Sequence, residues 1–356
     1  MSRFRHGLVL GKFYPPHAGH HHLVRTAAGR CDRLTVLVCA SSVESVPLAD
    51  RVAWMREVHP DVRVVGAVDD IPVDLTDPAV WDAHMTVFRT AVPEPVDAVF
   101  TSEAYGDELG RRFGAASVCV DPDRVRLPVS GTAVRKDPVG CWDFLEAPVR
   151  AAFVRRVVVV GAESTGTTTM AEALAEHYRA RGGVWARTRC VPEYGREFSE
   201  RKLAALRAVR PGADWRDVTF ASEEFPLIAR RQAELEEEAA RSGSPVLLCD
   251  TDAFATTIWH ERYMGGPYPV APEPRTQHLW LLTDHEGVAF EDDGLRDGEH
   301  LRPWMTGRFR EELARTGRRT VELTGPHEQR LARAVAAVDT LIGEGRHLAD
   351  PLPERR

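Results

Sequence analysis

Twice in this chain of 356 residues, a short apolar run leads into a glycine-containing loop and then into a helical pattern. The first run covers residues 8–11, with helical spacing from about Pro16, and the second covers residues 157–161, with helical spacing from about Thr168. Further short apolar runs alternate with helical patterns after each of them. This alternation predicts two parallel α/β sheets, which bind ligands at the carboxyl ends of their strands.

The length of the chain is suited to two domains. We place the boundary near residue 150, so that residues 1–150 form one α/β domain and residues 151–345 form another. A linking helix is predicted over residues 142–154, and residues 346–356 are predicted to be a frayed tail. With 43% hydrophobic and 28% charged residues, the composition is that of a globular protein rather than a disordered or fibrous one.

Charge and hydropathy exclude several classes of protein. The net charge of −7 argues against a basic nucleic-acid-binding protein. No apolar run approaches the roughly 18 residues of a membrane helix, and the first residues lack the pattern of a signal peptide. The six cysteines are scattered without the spacing of a metal site. We therefore expect a cytoplasmic protein with reduced thiols that binds neither nucleic acid nor membrane; the sequence does not decide whether it is a homo-oligomer.

The segment G-K-F-Y-P-P-H-A-G-H, residues 11–20, contains the first group of candidate functional residues. It places His17 and His20 three residues apart at a helix start, after a loop that carries Lys12. Helix N-termini and imidazole N–H groups bind phosphate, a lysine adds positive charge, and Gly19 lets the backbone approach a nucleotide. An isolated H-x-x-H would be read as a capping turn, but the preceding strand and loop favour a phosphate site. Zinc binding is disfavoured because no cysteine or carboxylate nearby completes a site.

This segment resembles the H-x-G-H signature of nucleotidyltransferases, whose fold is Rossmann-like. Residues 129–135, V-S-G-T-A-V-R, resemble the companion I-S-G-T-x-x-R motif. The resemblance implies that Ser130, Thr132 and Arg135 hold the β- and γ-phosphates of ATP, and that residues 101–106 lie near its adenosine. The implied catalytic residues are His20, Lys12 and Arg135, and the implied ATP-binding residues are Gly11, Phe13, Tyr14, His17, Gly19, Ser130, Thr132, Glu103 and Tyr105.

The second loop, G-A-E-S-T-G-T-T from Gly161, has the strand–loop–helix context of a P-loop, whose backbone N–H groups cradle phosphates. The motif G-x-x-x-x-G-K-[ST] requires lysine where this chain has Thr167. The chain has only three lysines, at positions 12, 136 and 202, and its other basic residues are arginines. This preference for arginine does not explain the change, because the residue at position 167 is threonine. We predict that the phosphates of ATP contact Gly161, Ser164, Thr165, Gly166, Thr167, Thr168 and Thr169.

A run of apolar residues ending in two aspartates, V-L-L-C-D-T-D at residues 246–252, resembles a Walker B strand. Asp250 together with Thr168 is predicted to hold Mg²⁺, and Asp252 to accept a proton from a substrate hydroxyl. The alternative is that one of the two aspartates only caps the following helix. The clusters P-E-Y-G-R-E (residues 192–197) and E-D-D-G-L-R-D (residues 291–297) would, taken alone, be solvated loops.

Together, these motifs resemble in their order the NadR-type family of bifunctional nicotinamide-nucleotide adenylyltransferases and ribosylnicotinamide kinases, over about residues 5–345. The resemblance implies NAD biosynthesis. The first domain would form NAD and pyrophosphate from ATP and nicotinamide mononucleotide, and the P-loop domain would phosphorylate ribosylnicotinamide with ATP. It implies nucleoside contacts by Glu193, Tyr194, Arg196 and Asp252, and phosphate contacts by Arg296 and Arg302 in a lid.

Two departures from the family qualify this expectation. The missing P-loop lysine implies an impaired kinase or a different phosphate contact. The helix-turn-helix domain of some members is expected to be absent, because the first motif begins at Gly11. Two other functions stay open at this point: a different adenylyl- or cytidylyltransferase, and an adenylyltransferase whose P-loop domain is a non-catalytic nucleotide sensor.

Overall fold

The computed structural model describes residues 3–266, 277–291 and 298–355, and the chain divides into two compact units. Unit 1 comprises Met1–Val149 together with Arg346–Arg356, and unit 2 comprises Arg150–Gly345. The last residues of the chain therefore belong to the unit that contains the first residues.

The elements up to the division between the units are β1 (Phe4–Gly11), α1 (Ala18–Ala28), β2 (Cys31–Ala40), α2 (Leu48–Val58), β3 (Arg63–Val68), β4 (Val73–Asp74), α3 (Pro78–Ala91), β5 (Ala98–Thr101), α4 (Gly106–Phe113), β6 (Ala116–Cys119), α5 (Gly131–Lys136) and α6 (Ala147–Phe153). The predicted helix over residues 142–154 is interrupted: a 3₁₀ turn at Trp142–Phe144 precedes α6. Pro148 explains the break, since proline is tolerated in the first turn of a helix but not in its interior.

The remaining elements are β7 (Arg155–Gly161), α7 (Thr167–Arg179), β8 (Arg189–Val191), α8 (Tyr194–Val209), α9 (Glu224–Ser242), β9 (Val246–Asp250), α10 (Ala255–Met264), β10 (Leu279–Thr283), α11 (Arg302–Arg315), β11 (Thr320–Leu323), α12 (His327–Gly343) and β12 (Glu354–Arg355). None of the helices among the described residues is long and apolar enough to cross a membrane.

The main sheet of unit 1 is parallel, with the strand order β3-β2-β1-β5-β6. Its two faces are both covered by helices. Val9 and Phe100 pack on one face with side chains of α1 and α2, whereas Leu8 and Val99 pack on the other with side chains of α3 and α4. The chain order reverses beside β1, so a crevice forms outside the carboxyl end of this strand, where G-K-F-Y-P-P begins.

The sheet of unit 2 is also parallel, with the order β11-β10-β7-β9-β8. The four valines of β7 are almost completely buried at its centre, as expected for a strand covered on both faces. In the register of the sheet, Gly161 of β7 lies beside Thr283 of β10, and Val159 lies beside Asp250 of β9. The loop after β7 is therefore flanked by the ends of two other strands. The predicted parallel α/β fold is confirmed in both units.

The predicted frayed tail is wrong. Glu354 and Arg355 form β12, which pairs in parallel with Val73 and Asp74 of β4. A short polar segment with prolines carries no local strand pattern, and its partner lies about 280 residues earlier in the chain.

Two candidate nucleotide sites

A pocket of unit 1 lies at the ends of β1 and β2. The predicted transferase residues among those lining it are Gly11, Lys12, Phe13, Tyr14, His20, Glu103, Tyr105 and Arg135. The structure thus brings together side chains from the H-x-G-H and S-G-T-x-x-R segments, which are more than 100 residues apart in sequence.

The ring of Tyr14 is held between two guanidinium groups, with Arg51 at 4.3 Å and Arg135 at 5.1 Å from its centroid. Arg135 also donates hydrogen bonds to the Tyr14 carbonyl at 2.9 Å and to Thr132 Oγ1 at 3.2 Å. Gly131 permits this approach, because a Cβ there would lie 3.2 Å from the Tyr14 oxygen. Arg135 is therefore fixed against the first motif.

The predicted phosphate ligands Ser130 and Thr132 have local partners in this structure. Ser130 is the N-cap of α5 and accepts a hydrogen bond from the Ala133 N–H at 3.1 Å, while Thr132 accepts one from Arg135. Capping by Ser130 satisfies one of the free N–H groups at the start of the helix. These contacts order the segment that carries Arg135.

Arg51 was not singled out as a site residue, but it supports the loop of Lys12. Its side chain and that of Glu44 are completely buried and form an ion pair at 2.6 Å. The same guanidinium donates to the Lys12 carbonyl at 3.0 Å. A buried pair of this kind is costly to break, so it holds the backbone of Lys12 firmly.

His17 and His20 stack with ring centroids 3.8 Å apart at the start of α1. The backbone N–H of His17 donates to Nδ1 of His20 at 3.3 Å. Because Nδ1 accepts, the neutral ring of His20 carries its proton on Nε2. Burial, and then nearby Arg124, lower the pKa of His17 to about 4; burial and then His17 lower that of His20 well below its usual value.

Both imidazoles are consequently neutral at pH 7 and act as dipolar donors or acceptors. Positive charge in this pocket comes from Lys12 and Arg135. A Cβ at Gly19 would lie 3.1 Å from the His17 ring, so the glycine makes room for the stacked histidine. The approach of a nucleotide at Gly19 stays a prediction.

The segment after residue 345 contributes to this pocket. The Tyr14 hydroxyl donates to the Ala349 carbonyl at 2.8 Å, and the Ala349 N–H donates to Ser45 Oγ at 2.7 Å. The Ser45 N–H in turn donates to the Tyr14 hydroxyl at 3.0 Å. Glu354 of β12 lines the pocket wall.

A further part of the wall comes from α3 and the end of β3. His84 Nδ1 lies 2.7 Å from Asp69 Oδ2, and both side chains are more than nine-tenths buried. Trp81 and Phe88 line the same region. Sequence reasoning missed these residues, although the spacing of Trp81, His84 and Phe88 marks the buried face of a helix.

In unit 2, the loop between β7 and α7 has the backbone of a phosphate cradle. Ser164 and Gly166 have positive φ values of 57° and 85°, and α7 begins directly after Gly166. Gly161 is required because a Cβ would collide with the hydroxyls of Thr165 and Thr283. Thr165 bonds to Thr283 and to the Ala162 carbonyl, both at 2.7 Å, so its hydroxyl supports the loop from within.

The pocket beside this loop is lined by the predicted residues Gly161, Ser164, Thr167, Thr168, Glu193, Arg196 and Asp250. Thr168 Oγ1 donates to Asp250 Oδ2 at 2.5 Å, and the Thr167 hydroxyl lies near enough to act on the pKa of the same carboxyl. Burial raises the pKa of Asp250, and these hydroxyl donors oppose the rise. Thr169 lies one residue further along, on the exposed side of the first turn of α7.

The structure contradicts the predicted role of Asp252. Its carboxylate is buried and accepts hydrogen bonds from the Ala255 N–H at 2.9 Å and from Trp280 Nε1 at 3.0 Å. Thr251, between the two aspartates, has φ 74° and turns the chain. Asp250 therefore contributes to the pocket lining, while Asp252 caps α10.

The segment around Glu193 is held by a buried polar chain that sequence reasoning missed. The Tyr194 N–H donates to Gln232 Oε1 at 2.9 Å, and Gln232 Nε2 donates to Glu236 at 3.4 Å. Burial raises the pKa of Glu236 to about 8, so this carboxyl is protonated at pH 7. Gln232 thus fixes Tyr194 through its backbone and itself lines the pocket.

Aromatic side chains form the other end of this pocket: Trp215, Phe220, Phe225, Trp259 and Tyr263. Phe220 and Tyr263 have ring centroids 4.8 Å apart, and Trp259 and Tyr263 stack at 6.3 Å. The i, i+4 spacing of Trp259 and Tyr263 was the available signal in sequence. The wall can accept a flat, apolar ring.

Of the two arginines expected in a lid, Arg296 lies outside the described residues, as does the whole D-D-G-L-R segment. Arg302 is buried and donates to the carbonyls of Ser164, His285 and Val288 at 2.9–3.2 Å. Its contacts are therefore with backbone around the phosphate loop.

Comparison with known proteins agrees with this two-part construction. Residues 156–330 match the family described as an AAA domain. The chain is 26% identical over 315 residues to the trifunctional NAD biosynthesis/regulator protein NadR of Escherichia coli strain K12, a match that covers 82% of this chain and 71% of NadR. Two crystal structures of NadR, one with NR and one with NAD and AMP-PNP, are similar to this chain in fold, with TM-scores of 0.71 and 0.66. Each match includes 98% of this chain and 99% of the NadR chain, at 20% sequence identity.

A second kind of relative decides the family. The chain is 30% identical over 138 residues to the nicotinamide-nucleotide adenylyltransferase of Methanocorpusculum labreanum, covering 37% of this chain and 78% of that enzyme. The chain belongs to the nicotinamide-nucleotide adenylyltransferase family. The predicted NadR-type resemblance of this adenylyltransferase is also confirmed, since the match to NadR spans most of both chains.

Proposed function

We propose that this protein makes NAD by two ATP-dependent reactions. In unit 1, a phosphate oxygen of nicotinamide mononucleotide attacks the α-phosphorus of ATP, the bond to the β-phosphate breaks, and pyrophosphate leaves. In unit 2, the 5′-hydroxyl of ribosylnicotinamide attacks the γ-phosphorus of ATP, giving ADP and nicotinamide mononucleotide. The convergence of Lys12, His20 and Arg135 in one pocket at the end of β1 carries the proposal.

The transferase reaction needs charge stabilisation and alignment rather than a general base, because its nucleophile is already an anion. Lys12 and Arg135 supply positive charge, and neutral His20 donates from Nε2 to a phosphate oxygen. Arg51 and Tyr14 keep the loop in place, since Arg51 holds the Lys12 carbonyl and stacks on the Tyr14 ring. A preorganised set of donors of this kind is usually a large part of catalysis.

The kinase reaction also requires a proton acceptor for the 5′-hydroxyl. Glu163, Glu193 and Asp250 are carboxylates that line the pocket of unit 2. Glu163 is paired with Arg262 at 2.5 Å, and Asp250 accepts a hydrogen bond from Thr168. Glu193 is the N-cap residue of α8 and belongs to the E-Y-x-R-E element, which the NadR-type resemblance places at the nucleoside. We assign the proton acceptor to Glu193 and the nicotinamide ring to the aromatic wall.

Magnesium accompanies ATP in both reactions. Among the described residues, no group of three or more histidine, cysteine or acidic side chains could hold a metal ion. Thr168 and Asp250 nevertheless offer oxygen ligands side by side, which suits an ion that keeps waters and phosphate oxygens as its other ligands. When bound there, the ion would neutralise charge on the phosphates.

A second function for unit 2 is a nucleotide sensor without catalysis. The observation that favours it is Thr167, which lines the pocket with an uncharged hydroxyl at the position of the P-loop lysine. A lysine at this position would follow the negative charge as the phosphoryl group moves.

Product analysis separates these functions. The purified chain is given ATP and Mg²⁺ with either nicotinamide mononucleotide or ribosylnicotinamide, and products are identified by mass spectrometry. NAD and pyrophosphate from the nucleotide, and ADP with nicotinamide mononucleotide or NAD from the nucleoside, are expected. Reaction with phosphopantetheine, or with CTP in place of ATP, would identify another transferase. ATP binding to unit 2 without phosphorylation, even in Thr167→Lys, would identify a sensor.

A further inference from the structure

The missing lysine of the phosphate loop raises the question of which cation replaces it. Two buried arginines, Arg302 and Arg330, are 6% and 4% exposed. Both donate hydrogen bonds to backbone carbonyls of the phosphate loop: Arg302 to Ser164 and Arg330 to Thr165, each at 3.2 Å. Sequence reasoning did not identify Arg330, which lies 165 residues from the loop it contacts.

No carboxylate of the described residues contacts either guanidinium, although Asp284 acts on Arg330 and Glu299 acts on Arg302 from a greater distance. Within residues 3–266, 277–291 and 298–355, no acidic side chain forms an ion pair with Arg302 or Arg330. Arg330 donates its other hydrogen bonds to the carbonyls of Gly325 at 2.6 Å and Glu286 at 3.4 Å. Nε of Arg302 is buried without any acceptor among the same residues.

The positions of these charges are unfavourable without an anion nearby. Burying a cation is unfavourable unless an opposite charge compensates it. Burial lowers the pKa of the Arg330 guanidinium; Asp284 opposes this fall, and Arg302 adds to it. Arg330 also lies in the first turn of α12, where the helix dipole is positive. A bound triphosphate at the loop would supply the missing negative charge.

The direction of the hydrogen bonds fits this function. In a trans peptide, the C=O and N–H groups point in opposite directions. When Arg302 holds the Ser164 carbonyl and Arg330 holds the Thr165 carbonyl, the N–H groups of Thr165 and Gly166 are turned to the other side of the loop. The backbone N–H groups of a P-loop are the groups that cradle phosphate.

We propose that Arg330, with Arg302 beside it, supplies from behind the phosphate loop the fixed positive charge that a P-loop lysine supplies from inside it. ATP thereby binds to unit 2 although Thr167 is uncharged. The proposal rests on ATP being the ligand of unit 2, as in the proposed function, but it does not require that phosphate transfer occurs. A fixed charge behind the loop cannot follow the moving phosphoryl group, so it replaces the lysine in binding more fully than in catalysis.

The test measures ATP binding at the loop itself, because ATP also binds unit 1. Hydrogen–deuterium exchange of peptides covering residues 161–169 is followed in the full chain at increasing ATP with Mg²⁺, and the ATP concentration for half-protection is recorded. Arg330→Gln keeps a hydrogen-bond donor but removes the charge, whereas Arg330→Lys keeps the charge. Arg333→Gln, at an exposed position of the same helix, is the matched control.

We expect Arg330→Gln to raise the half-protection concentration about tenfold or more, since a charge-assisted interaction with phosphate is lost. Arg330→Lys should stay within about threefold of wild type, and Arg333→Gln should match it. Thr167→Lys added to Arg330→Gln should restore binding, because it returns the charge from the other side of the loop. Unchanged binding in a folded Arg330→Gln protein, or loss that neither lysine restores, would overturn the proposal.

If Arg330→Gln does not fold, Thr167→Lys in the otherwise wild-type chain decides. The proposal requires a gain in ATP binding below about threefold, because the charge is already present; a gain of about tenfold or more would refute it. An absence of kinase activity can be distinguished from an absence of the role proposed for Arg330. ATP protection that depends on Arg330, without any product from ribosylnicotinamide, refutes the kinase while the role of Arg330 stands.

Discussion

The two histidines of the H-A-G-H segment are neutral at pH 7, which limits what they can do for a phosphate. Desolvation in the pocket lowers the pKa of both, and the His17 N–H fixes the proton of His20 on Nε2. In the proposed transferase reaction, His20 is a directed hydrogen-bond donor, and Lys12 and Arg135 provide the positive charge. A single backbone N–H, that of His17, selects the tautomer of His20 that can donate from Nε2.

At this scale, His20→Ala should lower the rate of NAD formation by about 10²–10³ without unfolding the protein, because one preorganised donor is lost. The rate is measured with ATP and nicotinamide mononucleotide at saturation. His22→Ala, a change on the same helix outside the predicted site, is the control and should retain the parental rate. A His20→Ala protein as fast as the parent would show that His20 has been misassigned.

At the scale of elements, unit 1 joins parts of the chain that are far apart in sequence. β12 pairs with β4, and Ala349 bonds to the Tyr14 hydroxyl, so the segment after residue 345 is part of the transferase pocket. Two helices are also joined by a side-chain contact: Nδ1 of His21 in α1 lies 2.9 Å from Nε2 of His59, the residue that ends α2. Short elements of this kind gain their stability from packing and hydrogen bonds to a larger body.

Deleting residues 346–355 should raise the KM for nicotinamide mononucleotide several-fold, since Tyr14 loses a hydrogen bond worth about 1 kcal/mol and the pocket loses Glu354. Steady-state NAD formation provides the measurement. Phosphorylation of ribosylnicotinamide by the same protein serves as an internal control and should not change. Identical transferase kinetics with and without the segment would show that β12 only covers the surface.

Acid should destabilise unit 1 through its buried histidines. Burial lowers the pKa of His21 to about 3 and of His17 and His59 to about 4, whereas in the unfolded chain they titrate near 6.5. Below about pH 6.5 the unfolded state binds more protons, so the free energy of unfolding falls as the pH falls towards 4. Each histidine accounts for about 1 kcal/mol between pH 7.5 and 5.5.

Denaturant unfolding at the two pH values measures this effect. His59→Gln should weaken the pH dependence, and His22→Gln should leave it as in the parent. A free energy of unfolding that is constant or larger at pH 5.5 would contradict the assignment of neutral, buried histidines.

At the scale of the whole molecule, the two units repeat one construction. Each has a parallel sheet with an apolar central strand that ends in glycine, and in each the following loop leads to a helix at the candidate site. Unit 1 differs because it takes residues from both ends of the described chain. Dividing the chain near residue 150, as predicted, separates the two large sheets. This division would also remove Arg346–Arg356, and with them β12, from unit 1.

Residues 1–150 expressed alone should be soluble and retain adenylyltransferase activity, because they contain the complete five-stranded sheet. The fragment should have the same raised KM for nicotinamide mononucleotide as the full chain without residues 346–355, since both lack the same contacts. An insoluble or inactive fragment would mean that unit 1 depends on the rest of the chain for folding.

The positions of both nucleotide loops follow from sequence alone. Residues 8–11 and the valines before Gly161 are short, continuous apolar runs that end in glycine, and runs of this kind between helical patterns are typical of central parallel strands. The H-x-G-H segment, Arg135, Thr168 and Asp250 were found because each lies beside such a run or within a compact motif. Local backbone preferences and local hydrophobicity are enough to place them.

Only the tertiary structure decided which polar groups line the two pockets. Asp250 and Asp252 are two residues apart at the same strand end, and the turn at Thr251 directs one to the pocket and the other into a helix cap. Glu354 and Arg330 reach their sites from distant segments with no local motif, and the helical spacing of His84 indicates burial but not a site. Side-chain direction and long-range packing depend on the whole fold. A sequence pattern therefore predicts the two nucleotide loops, but it does not predict which charged side chains pack behind them.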